Sequence, residues 1–240
     1  MSKDSSVNPQ AGDLAFTRSD SRGVIPEASY AGALSFMRRR YTKDLTGADV
    51  AVMGVPFDLA VSSRSGTRLG PRAVRSGSSH IAWSAPWPWE NDPFETLSIV
   101  DYGDCELDTG YPDKVPGQIT DAARQVLASD TALLSIGGDH FITYPLLKAH
   151  YEKYGPLSII QFDAHTDTWA DEESRIDHGT MLWHAVREGL VDPSRSVQIG
   201  IRTHNPEPLG FNIIDAIEVH KRGPAAVVNV ILSPGSMPVM

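Results

Sequence analysis

Short apolar runs, set apart by polar and glycine-rich stretches, lay out the plan of this chain. Residues 49–55 (Asp-Val-Ala-Val-Met-Gly-Val), 97–102, 131–136, 157–162, 196–201 and a shorter 211–216 each have the length and continuity of buried strands. Between them lie stretches with helical signals: a weak one over 30–40, a short one over 72–76 behind Pro71, then 118–129, 142–151 and one ending near Gly189. Strands alternating with helices predict a parallel sheet with helices on both faces. The run 157–162, without polar alternation beyond Gln161, predicts a strand covered on both faces.

Other stretches lack periodicity. Residues 1–28 are rich in Ser, Asp, Asn and Gly and predict a flexible arm or a strap over a neighbouring subunit, which leaves 29–240 as one α/β domain. The loop from Ser62 to Pro71 is rich in Arg and Gly but lacks the order of a P-loop, and holding a neighbouring strand end is its simpler use. Trp83, Trp87 and Trp89 fall in a proline-broken segment that cannot be a regular helix. They read as a capping cluster or an entrance wall, and capping is favoured because aromatic rings mostly pack.

Composition narrows the function. At 240 residues the chain can bury a sizeable core, and its formal net charge of −9 disfavours nucleic acid and anionic membranes. The same charge mildly favours a cationic small molecule, although solubility alone explains it. Cys105 is the single cysteine, so no intrachain disulfide or zinc–thiolate framework is available. Asp104 and Glu106 beside it would raise a thiol pKa, which makes Cys105 structural rather than nucleophilic. The polar N-terminus and the lack of any run of bilayer length predict a soluble protein of the cytoplasm.

The chemistry concentrates after residue 136. Asp163, His165 and Asp167 follow the 157–162 run at alternate positions, and an extended backbone would turn all three toward one spot at the strand end. His140 follows another strand end through Gly137-Gly138-Asp139. Two imidazoles and two carboxylates without a thiolate suit manganese better than structural zinc. His178, in Asp177-His178-Gly179-Thr180, has the titration range of a proton relay.

Gly137-Gly138-Asp139-His140, Asp163-Ala164-His165-Thr166-Asp167 and His178-Gly179-Thr180 together resemble the ureohydrolase family of arginases and agmatinases. The likeness to agmatinases is closer, through Gly54-Val55-Pro56-Phe57-Asp58, the Arg64–Pro71 loop, Trp83, Phe141, Met181 and Val197-Gln198-Ile199-Gly200-Ile201-Arg202, and it spans about residues 49–216. It implies a three-layer α/β/α sandwich of the arginase/deacetylase type, with a parallel sheet of eight strands and two Mn2+ ions at its edge. A hydroxide bridging the ions would hydrolyse agmatine, a small cationic guanidino substrate, to urea and putrescine. His140 and Asp167 would hold one ion, His165 the other and Asp163 both, with His178 as the catalytic proton shuttle. Homo-oligomers, trimers or hexamers, are also implied.

The sequence departs from the family in one respect. The family's later D-x-D-x-x-D-P stretch, with two more metal aspartates, has no counterpart; after His178 the aspartates are Asp192 and Asp215. Residues 235–240 resemble the approach to that strand, so the resemblance implies missing C-terminal strands and an unpaired sheet edge. Three activities follow as alternatives: agmatinase, a guanidinobutyrase or other guanidino-acid hydrolase to which Arg64 and Arg68 could offer positive charge, and a non-catalytic partner subunit.

Overall fold

The computed structural model describes residues 22, 28–82, 87–173, 175 and 177–232. Apart from Arg22 and Ala28, the N-terminal arm lies outside these residues, as do Trp83 and the stretch 235–240. The chain forms two compact units, Met1–Leu59 with Ser63–Asp139, and Ala60–Ser62 with His140–Met240.

The first unit is built on β1 (Val50–Val55), with helix α1 (Gly70–Ser78), one helical turn α2 (Pro93–Thr96), β2 (Ile99–Asp104), α3 (Val115–Leu127) and β3 (Ala132–Gly137). Its strands pair in parallel in the order β2-β1-β3. In β1 every residue after Val50 is buried, as expected of a central strand covered on both faces. Val52 meets Met37, Phe94 and Ile99 in an apolar cluster, and each such side chain contributes about 1.5–3 kcal/mol when fully buried. Helix α3 turns Val115, Ile119, Ala123 and Val126 inward at helical spacing.

Backbone economy shows at the end of β3. Gly138 has φ +61, and a Cβ there would stand 2.5 Å from the carbonyl oxygens of both Val55 and Phe57. Only glycine accepts both constraints at once.

The expected helix over 30–40 is replaced by a single 3-10 turn, Phe36–Arg38. The reason is tertiary: the amides of Phe36 and Met37 donate to the Asp101 carboxylate (2.7 Å) and the Ser78 hydroxyl (2.8 Å), which offers the backbone partners outside a helix. Trp87 and Trp89 are 89% and 63% exposed, so they do not cap a core.

The Arg/Gly loop holds a strand end. Asp58, just past β1, accepts from the amides of Gly66 (2.7 Å) and Arg68 (3.3 Å) and pairs with the Arg68 guanidinium. The bond from the Arg68 side chain holds the Asp58 carboxyl below the usual carboxylate range, against the effect of burial. Arg68 is therefore committed to Asp58.

Cys105 is buried, and burial, more than Asp104 and Glu106, pushes its thiol up to about 11. A thiol held protonated and covered reacts slowly. Ellman's reagent at pH 8 is expected to read far less than one thiol per native chain, and one in denaturant.

The second unit runs α4 (Thr143–Tyr154), β4 (Ile160–Phe162), α5 (Met181–Arg187), β5 (Val197–Ile201), β6 (Asn212–Asp215), α6 (Ala216–Arg222) and α7 (Pro224–Leu232). Its strands are parallel in the order β4-β5-β6. Val197, Ile199 and Ile214 form its core with Val227, and Val219 packs against them. The apolar pattern assigned no element after residue 216. The structure adds α6, whose N-terminus is capped by the Asp215 carboxylate accepting from the Glu218 amide at 2.7 Å, and α7.

The expectation for 157–162 is corrected in two ways. The strand is shorter, and Ile160 and Phe162 are 57% and 75% exposed. Among the described residues β4 has a hydrogen-bonded partner, β5, on one side only. No helix among the described residues is long and apolar enough to cross a membrane.

Candidate metal centre

All the predicted ligands belong to the second unit. His140 opens the 3-10 turn that runs into α4, and Asp163 is the first residue past β4. The ligand atoms of His140, Asp163 and Asp167 lie within 4.8 Å of one another. His140 Nδ1 stands 3.1 Å from Asp163 Oδ2 and 3.0 Å from Asp167 Oδ2.

The chain reaches this geometry by turning, not by staying extended. The strand stops at Phe162, the Asp163 carboxylate accepts from the His165 amide at 3.0 Å, and Asp167 has φ +53. Aspartate is one of the few residues that tolerate that left-handed conformation. His165 consequently lies outside the three-residue cluster: its side chain is 61% exposed, and its Nδ1 is 3.6 Å from Asp163 Oδ1. Asp163 thus turns one oxygen toward His140 and the other toward His165.

These residues fit a divalent cation. The donor set is oxygen-rich with imidazole, which suits manganese. Two ligand atoms at right angles around a small octahedral ion, each about 2.1 Å away, stand roughly 3.0 Å apart, close to the spacings around His140 Nδ1.

Burial opposes ionisation of both carboxyls, with different results. At Asp163 the amides of His165 and Ala164 and the neighbouring His140 outweigh it and hold the carboxyl below its ordinary range. At the more buried Asp167, burial and the proximity of Asp163 prevail over His140 and push the carboxyl up. A bound cation would relieve what burial costs Asp167.

A further layer, not anticipated from the sequence, fixes Asp167. Gln161, in the middle of β4, donates from Nε2 to Asp167 Oδ2 at 3.0 Å. Its own Oε1 accepts from Gln198 Nε2 of β5 at 2.6 Å, and Gln198 also donates to the Thr166 carbonyl at 2.7 Å. The signal was a glutamine at the same register in two neighbouring apolar strands. Partners of metal ligands commonly carry 10- to 100-fold of metal affinity. Gln161→Leu is expected to weaken Mn2+ binding about tenfold, measured by calorimetric titration of the metal-free protein.

His178 is half-buried on the turn before α5, where the Asp177 carboxylate accepts from the Gly179 amide at 2.6 Å.

The sequence profile of the arginase family matches residues 48–237. The chain belongs to the arginase family. Within that family, an agmatinase of Chromobacterium violaceum is 51% identical over 219 residues, which are 90% of this chain and 68% of that protein. Among solved structures, a hypothetical agmatinase from Burkholderia thailandensis superposes with a TM-score of 0.91 at 53% identity, over 94% of this chain and 71% of that one. The proclavaminate amidino hydrolase of Streptomyces clavuligerus gives a TM-score of 0.79 at 32% identity, over 88% and 72%. This arginase-family chain is an α/β ureohydrolase fold with parallel strands.

Proposed function

We propose that the protein is a manganese-dependent agmatinase that hydrolyses agmatine to urea and putrescine in the cytoplasm, as part of polyamine synthesis, and assembles as a trimer or hexamer. The observation that carries the reading is the convergence of His140, Asp163 and Asp167 on one point in a chain 51% identical to an agmatinase.

In this reading His140 and Asp167 would hold one ion and His165 would help hold a second, and Asp163, with an oxygen toward each histidine, would be available to both. Bound manganese supplies Lewis acidity that makes water nucleophilic near neutral pH, which a poorly electrophilic guanidinium carbon requires. Gln161 keeps Asp167 Oδ2 aimed at His140. A ring nitrogen of His178 carries a proton to the departing amine. The net charge of −9 is compatible with a cationic substrate, and Arg68, held by Asp58, is not free to select a carboxylate.

The test is urea release by the Mn2+-loaded protein from agmatine, arginine and 4-guanidinobutyrate in parallel, with oligomer mass read by light scattering. Preference for agmatine is expected. Preference for the guanidino acid, or release from none of the three, overturns the reading.

A further inference from the structure

Three segments of the second unit carry His140, Asp167 and His178. Each is followed within a few residues by a member of one polar–aromatic cluster: Tyr144, Asp171 and His184. Tyr144 lies in the first turn of α4, His184 on α5 and Asp171 on the loop between Asp167 and His178. His184 Nε2 stands 3.0 Å from Asp171 Oδ2, and the two side chains are only 14% and 7% exposed. The same carboxylate collects its own loop, accepting from the amides of Arg175 at 2.7 Å and Glu173 at 3.3 Å.

On the helix side the imidazole lies edge-on to Trp183, with ring centres 4.9 Å apart, and edge-on to Tyr144 at 6.1 Å. The Tyr144 hydroxyl in turn donates to Glu188 Oε1 at 2.6 Å, just past α5. The loop is closed at its base as well, the Trp169 amide donating to the Gly179 carbonyl and the Leu182 amide to the Asp167 carbonyl, both at 3.0 Å.

None of these side chains is a ligand in the centre described above, and the cost of burying an aspartate against a histidine is offset here by the further hydrogen bonds that tie Asp171 to its own loop. We propose that Asp171 and His184, with Tyr144 packed against the imidazole, are positioning residues: the brace fixes the loop between Asp167 and His178 to α4 and α5, and so holds His140, Asp167 and His178 in their working arrangement. The proposal rests on the metal-site reading of these residues. A displacement of about 1 Å at a reacting centre can cost 100-fold, so a link this close to three site segments has a measurable effect.

The experiment compares His184→Phe, which keeps a ring beside Trp183 and Tyr144 but removes the N–H, with His184→Gln, which restores a donor. Asp171→Asn serves as a second disruption of the same link that preserves side-chain size. Two readouts need no turnover: hydrogen exchange of peptides covering 168–180 in the metal-free protein, and the Mn2+ dissociation constant by calorimetry. His184→Phe and Asp171→Asn are expected to raise exchange in 168–180 and to weaken Mn2+ binding, each about tenfold, with His184→Gln recovering most of both. With agmatine, the same two variants are expected to lower kcat about tenfold while KM changes less than twofold.

Unchanged exchange and unchanged Mn2+ affinity in both disrupting variants overturn the brace, as does a His184→Gln variant no better than His184→Phe. A wild-type protein that releases no urea from agmatine overturns the agmatinase reading instead, and leaves the exchange and metal readouts to decide the brace.

Discussion

Asp163→Asn is expected to abolish measurable agmatine hydrolysis and to reduce bound manganese below one ion per chain. The change is nearly isosteric and leaves an oxygen to accept from the His165 amide, so the turn after β4 survives. What it removes is the charge of a carboxylate with one oxygen toward His140 and the other toward His165. Charge stabilisation by metal in such chemistry is worth several kcal/mol, and about 4 kcal/mol corresponds to roughly a thousandfold in rate. Urea release and metal content by emission spectroscopy, on samples whose circular dichroism matches wild type, check the outcome. Retention of full activity with a full complement of metal removes Asp163 from the centre.

The second large effect concerns stability. Asp101 of β2 is fully buried and its carboxylate accepts four hydrogen bonds, from Arg75 Nε (2.8 Å) and Nη2 (2.9 Å) and from the amides of Phe36 (2.7 Å) and Gly103 (2.9 Å). Arg75, itself buried on α1, spends its remaining nitrogen on Asp104 at 2.5 Å. Burial would drive the Arg75 proton off, but Asp101 and Asp104 more than offset it and raise the guanidinium pKa.

Asp101→Ala strands two amides and two N–H groups of the buried guanidinium, leaving Arg75 only the half-exposed Asp104 as anionic partner. Breaking such a pair costs about 3–5 kcal/mol, read as a lower urea midpoint at constant slope. Arg75→Met with Asp101→Leu is expected to recover a good part of that loss, because apolar replacements of both partners need no charge compensation. If each single change costs under 1 kcal/mol, the buried network is not what secures α1 to β2.

How much of this was legible in the sequence depends on whether a segment's neighbours are close along the chain. The strands β1, β2, β3 and β5 stand where continuous apolar runs place them. Of these, β1, β2 and β5 are buried along almost their whole length, as such runs anticipate, whereas β3 is not, with Leu134 45% exposed. Residues 30–40 misled because their backbone partners, Asp101 and Ser78, lie far off in sequence. The same holds at the metal centre. Motif resemblance gathers His140, Asp163 and Asp167, but alternate spacing brings His165 to the same point only on a straight strand, and here the chain turns, leaving His165 beside the cluster. Gln161 and Gln198 stayed hidden for a different reason: a lone amide in an apolar strand declares its purpose only when the strand alongside is known.

The left-handed backbone at Asp167 places two demands on one residue. Asparagine would satisfy the torsion and forfeit the charge, glycine would keep only the torsion, and glutamate would keep a charge on a side chain too long for the bend. In the proposed centre, position 167 would serve as both hinge pin and metal donor, and an alanine scan through it would confuse a misshapen loop with a missing ligand, where asparagine and glutamate together would tell them apart.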